Sequence, residues 1–108
     1  MAFNEITDTK ALDELMKGSN DQPVILFKHS TSCPISAGAH REMMQITSPV
    51  ALVVVQHSRE LSREVERRTG VRHESPQAFI IRNGKAAWHA SHYDITKADV
   101  EQAMSDNA

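Results

Sequence analysis

The sequence has very little cysteine: Cys33 is the only one among 108 residues. A single thiol cannot form a disulfide within the chain, and this scarcity is typical of proteins from a reducing compartment. The opening, MAFNEITDTK, also lacks the basic and apolar segments of a secretory signal. We therefore expect a cytoplasmic protein.

Long apolar runs and an excess of either charge are missing as well. No run approaches the roughly 20 residues that span a bilayer, and the formal net charge is only −2. We accordingly expect neither a membrane nor a nucleic acid as a partner. The length suits a single domain, residues 1–108, with one hydrophobic core.

Helical spacing of apolar residues predicts four helices, over residues 6–21, 34–45, 58–69 and 96–105. The candidate N-caps are Asp8, with Thr7 and Thr9 nearby, for the first helix, Ser58 for the third, and either Asp94 or Thr96 for the last. Gly18 and Gly70 are the candidate helix ends.

Four apolar segments predict strands. VILFK and ALVVVQ are continuous apolar runs, typical of strands buried on both faces. QAFIIR and AAWHA flank Asn83-Gly84, which is a strong signal for a two-residue hairpin. The order predicts an α/β fold, a thioredoxin-like mixed sheet of about four strands flanked by helices on both faces. We expect Trp88 and Tyr93 to pack against the sheet or its end.

Cys33 lies between a predicted strand and a predicted helix that begins at Pro34. Proline suits the first helical position, because its missing N–H would have no partner there. The free N–H groups of the first turn and the helix dipole favour a negative charge at Cys33, and the thiolate is the reactive form of cysteine. Lys28, His29 and His40 could add positive potential. A buried structural cysteine would gain nothing from this position, so we assign Cys33 as a nucleophile.

Pro76 directly precedes the first strand of the predicted hairpin. In the thioredoxin-like arrangement a cis-proline at this point lies beside the active cysteine, so we expect a cis bond that presents the backbone of Ser75 to an extended thiol substrate. The catalytic residue is thus predicted to be Cys33. The residues expected to contact substrate are Thr31, Ser32, Pro34, Ile35, Ser36, Ser75 and Pro76.

Two segments together resemble a known family. HSTSCPIS resembles the Thr-Cys-Pro-Ile-Ser type active site of monothiol bacilliredoxins, and RTGVRHESPQAFIIRNGKAAWHASHYDIT resembles the second half of that family. One departure is Ser32, where a threonine is expected; both are small hydroxyl residues. The resemblance covers most of the chain and implies a thioredoxin-like fold.

The resemblance also implies an activity in bacteria that use the small thiol bacillithiol. Cys33 would attack S-bacillithiolated proteins, release the protein thiol and carry the bacillithiol, and a second bacillithiol would then resolve Cys33. Bacillithiol would act as a thiol co-substrate, and no other cofactor is expected. Because Ser36 stands where a resolving cysteine would be, the reaction would need an external thiol.

Other functions remain open at the level of sequence. Monothiol glutaredoxin-like proteins hold an iron–sulfur cluster with the same Cys-x-x-Ser spacing, although Pro34 stands where they have glycine. A thiol peroxidase is suggested by TSCP, but peroxiredoxins set their threonine three residues before the cysteine, and Thr31 is two before. A thioredoxin-like adaptor with an incidental thiol is a further alternative. Paired ligands at the tight spacing of zinc sites are not visible, so no metal is expected.

Several basic residues have two interpretations. Arg59, Arg63, Arg67 and Arg68 fall on one predicted helix, where they form a solvated face or lie near the active-site groove. Bacillithiol carries carboxylates, which a guanidinium could bind. Arg72 and His73, just before Pro76, are better placed for that contact.

Overall fold

The structure, a computed structural model, describes residues 3–108 and contains a five-stranded sheet with the strand order β1-β3-β2-β4-β5. Strands β1, β3 and β2 are parallel, β4 pairs antiparallel with β2, and β5 pairs antiparallel with β4. The prediction of about four strands missed β1, which has three residues and only one half-buried side chain, Phe3. The strands are β1 Phe3–Glu5, β2 Val24–His29, β3 Val50–Val54, β4 Gln77–Arg82 and β5 Lys85–Ser91.

Helices cover both faces of the sheet, as predicted. On one face, α2 and α4 pack through residues such as Met43 and Val100. On the other face, α1 and α3 pack through residues such as Leu12 and Val65. The helices are α1 Thr9–Gly18, α2 Pro34–Met44, α3 Arg59–Thr69 and α4 Lys97–Asp106, with a short 3₁₀ helix at His92–Asp94. None of them within residues 3–108 is long and apolar enough to cross a membrane.

The helix ends follow the predicted caps with one exception. Asp8 accepts a hydrogen bond from the Ala11 N–H at 2.8 Å, and Thr96 caps α4. Gly70 ends α3 with a left-handed φ of 71°. The prediction that Ser58 caps α3 is wrong: it occupies the N-cap position, but its hydroxyl group is buried without a hydrogen-bond partner.

The predicted hairpin joins β4 to β5. Asn83 and Gly84 both have positive φ angles, 55° and 73°, as the expected turn requires. Trp88 on β5 packs against the core on the α2 side, as predicted. The prediction is wrong for Tyr93, which is 81% exposed. It follows His92, whose left-handed φ of 55° turns the chain beyond the end of β5.

Candidate active site

Cys33 occupies the N-cap position of α2 and is partly exposed. Pro34 is the first helical residue, and the Cys33 carbonyl accepts a hydrogen bond from the Ala37 N–H at 3.0 Å. The N–H groups of Ile35 and Ser36 lie in the first turn, where no helical carbonyl can pair with them. The thiol therefore stands at the positive end of a helix, as the sequence predicted.

Gln56 holds the loop that leads to Cys33. Its amide group donates hydrogen bonds to the hydroxyl oxygens of Ser30 (2.7 Å) and Ser32 (3.2 Å) and accepts one from the Thr31 N–H (3.2 Å). Thr31 and Ser32 are exposed beside the cysteine. Sequence reasoning missed Gln56, because it lies more than 20 residues from the loop that it fixes.

Ser36 is fully buried, although it was predicted to contact substrate. Its hydroxyl oxygen accepts a hydrogen bond from the Ser30 N–H at 2.9 Å and lies 2.8 Å from His29 Nδ1. Since the backbone N–H can only donate, the Ser36 hydroxyl hydrogen is available to His29. In this arrangement Ser36 joins the end of β2 to α2 rather than facing outward.

His29 packs against His40, and their ring centroids are 4.7 Å apart. Burial is the main cause that lowers the pKa of His29, and the neighbouring His40 lowers it further, while a hydrogen bond with the backbone of Ser36 opposes both. The neutral imidazole is thus favoured near pH 7. Within residues 3–108 no three His, Cys, Asp or Glu side chains converge to hold a metal ion.

Pro76 lies at the same end of the sheet as the start of α2. The Ser75–Pro76 bond is cis, as expected, and the Pro76 carbonyl accepts a hydrogen bond from the His92 N–H at 3.1 Å. His92 in turn lines one groove together with Pro34 and Ile35. The structure therefore brings the proline loop and the residues after Cys33 to one place. Ser75 is half-buried, and its hydroxyl group has no partner within residues 3–108.

Lys28 does not face α2, where it could have supported the thiolate. Its side chain is fully buried on the opposite face of the sheet, and Nζ donates a hydrogen bond to the Ser62 carbonyl of α3 at 3.1 Å. Burial lowers the pKa of Lys28 to about 8, opposed by the charge of Glu66. The run VILFK predicted a buried strand, but the sequence did not show which face of the sheet Lys28 occupies.

The arginines of α3 are divided between two surroundings. Arg68 pairs with Glu64 of its own helix and with Asp13 of α1, and Arg67 also pairs with Glu64. Arg59 and Arg63 are exposed and line a separate cavity that also includes His73. The solvated-face interpretation therefore fits α3, and the pairs of Arg68 fasten it to α1.

Comparison with known structures supports this fold. One match, described as having a thioredoxin fold, is 30% identical with a TM-score of 0.87, over 94% of this chain and 93% of that one. Thioredoxin from Trypanosoma brucei brucei has a TM-score of 0.76 at 17% identity, over 97% and 89% of the two chains. Thioredoxin from Malassezia sympodialis has a TM-score of 0.74 at 16% identity, over 99% and 90%. The two thioredoxins show a common fold alone.

A thioredoxin-like fold with a partly exposed cysteine at the start of α2 defines the class of thiol oxidoreductases. Residues 4–100 match the model of a more particular family, the monothiol bacilliredoxin BrxC. The chain belongs to the monothiol bacilliredoxin family. The resemblance seen in the sequence is thereby confirmed.

Proposed function

We propose that this protein removes bacillithiol from S-bacillithiolated proteins through Cys33. The Cys33 thiolate attacks the bacillithiol sulfur of the mixed disulfide, a Cys33–bacillithiol disulfide forms, and the bond to the target protein breaks. The target leaves as a thiolate and takes a proton from water. The helix N-terminus at Cys33 supports this step, because it favours the attacking thiolate.

The second step needs a thiol from outside the chain. A bacillithiol thiolate attacks the bacillithiol sulfur on Cys33, which releases bacillithiol disulfide and regenerates the Cys33 thiolate. The observation that carries the proposal is that Cys33 is the only cysteine and that a buried serine, Ser36, occupies the place of a resolving thiol. A hydroxyl group cannot replace sulfur in thiol–disulfide exchange.

The expected surroundings of the reaction belong to the same proposal. The partners are S-bacillithiolated proteins and free bacillithiol, with no nucleic acid and no membrane, and the location is the cytoplasm. Bacillithiol serves as co-substrate, and no bound cofactor takes part. The exposed Thr31 and Ser32, together with Pro34, Ile35 and the Ser75–Pro76 segment, are proposed to contact the substrate.

Intact mass spectrometry tests the mechanism. Wild-type protein mixed with a bacillithiol-capped model protein should gain the mass of one bacillithiol, and added bacillithiol should remove it. Cys33→Ser should leave the cap in place. Ser36→Cys should instead divert the adduct to an internal disulfide with release of bacillithiol. Cap removal by Cys33→Ser, or a second wild-type turnover without an external thiol, would contradict the proposal.

A further inference from the structure

A surface groove begins at the residue that follows Cys33. It lies between α2 and the 3₁₀ helix and has a volume of about 410 Å³, within the range of small-molecule sites. Pro34 and Ile35 line one end, Gly38 and Arg41 continue it along α2, and the segment from His92 forms the other wall. A ligand joined to the Cys33 sulfur would have this groove as its neighbouring cavity.

Two side chains give the groove its chemistry. Tyr93 lines it while remaining 81% exposed, so its ring offers a face that the protein itself does not cover. Arg41 is exposed and forms no ion pair within residues 3–108. Glu42 also lines the groove, but its carboxylate accepts a hydrogen bond from the Lys97 N–H at 2.9 Å and forms no ion pair with Arg41 within residues 3–108. The groove thus combines an aromatic ring with an available cation.

We propose that this groove is the binding site for the bacillithiol co-substrate, an inference that rests on the proposed function. Bacillithiol consists of cysteine joined to glucosamine, which carries malate. With its sulfur at Cys33, the sugar would lie against Tyr93 and the malate carboxylates would pair with Arg41. Arg41 is eight residues after Cys33, about 12 Å along the helix axis, so it suits the malate, the unit of bacillithiol that is farthest from the sulfur.

A glycine at position 38 fits a groove that must remain open to a ligand. Glycine in the middle of a helix is a poorer helix former than alanine, and α2 extends on both sides of Gly38. A Cβ atom at this position would meet only Arg41 Nη2, at 3.8 Å, so packing within the protein does not require glycine. The missing side chain instead leaves open space where Gly38 lines the groove.

The test compares two disulfides as probes of Cys33. Bacillithiol disulfide contains the sugar and carboxylates, and 2-hydroxyethyl disulfide contains neither. Adduct formation on Cys33 is followed by intact mass to obtain second-order rate constants for wild type, Tyr93→Ala and Arg41→Gln. Each variant should lose about three- to tenfold with bacillithiol disulfide and stay within about twofold with the neutral probe. High salt should reduce the effect of Arg41→Gln.

Arg63→Gln is the matched control, because Arg63 is an exposed arginine on α3, across the sheet from the groove. It should react as wild type does with both probes. Equal losses in Arg63→Gln and Arg41→Gln would indicate general charge attraction and overturn the inference. Unchanged rates in both Tyr93→Ala and Arg41→Gln would overturn it as well.

Gly38→Leu separates the groove from the fold. Leucine is a good helix former, so α2 should be no less stable by urea unfolding, while the rate with bacillithiol disulfide should fall by about tenfold or more. A stable Gly38→Leu protein with the wild-type rate would refute the groove as the binding site. A wild-type protein that forms no adduct with bacillithiol disulfide would refute the proposed function itself, which is a different result.

Discussion

Ser36→Ala should cost more stability than a surface serine does. The hydroxyl group is fully buried and makes two hydrogen bonds, from the Ser30 N–H at 2.9 Å and with His29 Nδ1 at 2.8 Å. A hydrogen bond within a protein contributes about 1 kcal/mol net. Alanine removes both, so we expect the free energy of unfolding to fall by about 2 kcal/mol.

Urea unfolding measures this loss directly. With an m-value of about 1.5 kcal/mol per M, the midpoint should drop by about 1.3 M. Ser105→Ala, at an exposed position of α4, is the control and should stay within about 0.5 kcal/mol of wild type. Attack by Cys33 on a mixed disulfide should change by no more than a few-fold in Ser36→Ala. A loss below about 0.5 kcal/mol would refute the argument that these contacts join β2 to α2.

Three further predictions concern stability. Burial lowers the pKa of Lys28 to about 8, so the unfolded chain binds more protons between about pH 8 and 10.5, and wild-type stability should rise through that range. Lys28→Met should be more stable than wild type at pH 7, by up to about 3 kcal/mol, and its stability should rise less between about pH 8 and 10.5. A Lys28→Met protein that is less stable than wild type at pH 7 would contradict this prediction. The pKa of His29 is lowered in the folded protein, so wild-type stability should fall as the pH drops below about 6.5. His29→Gln should lose less stability than wild type over the same range. Gly70→Ala should lower the free energy of unfolding by about 1 kcal/mol, because the φ of Gly70 is 71°. Gly38→Ala should raise it by about 0.5–1 kcal/mol, because position 38 is an ordinary helical position. Thermal unfolding that shifts both variants in the same direction would contradict this prediction.

Local patterns were sufficient to predict most of the fold. Apolar periodicity located the four helices, and the continuous runs located the buried strands β2 and β3. The Asn83-Gly84 pair located the hairpin, because its positive φ angles are intrinsic preferences of those residues. Strand β1 could not be found in this way, since it has three residues, only Phe3 packs against the core, and the strand is defined by its pairing with β3.

The candidate site was only partly predictable, because local patterns do not reveal contacts between residues that are far apart in the chain. Cys33 at a helix start is a local feature, and it could be identified from the strand before it, the helical pattern after it and Pro34. The contacts of Gln56 with Ser30 and Ser32 join residues far apart in the chain, so no local pattern carries them. The inward position of Ser36 and the exposure of Tyr93 likewise depend on the assembled structure.

The contacts of Ser36 explain why the structure needs no second thiol at this position, although the proposed reaction needs one. At this position the hydroxyl group satisfies Ser30 and His29, so the fold does not need a second sulfur there. The proposed reaction still needs one, because only a thiolate can resolve a mixed disulfide. If the resolving sulfur comes from solution, its carrier has to be recognised by exposed residues rather than by the buried Ser36. The groove beside Pro34 meets this requirement. Arg41 and Tyr93 line it and can contact a ligand there without disturbing Ser36.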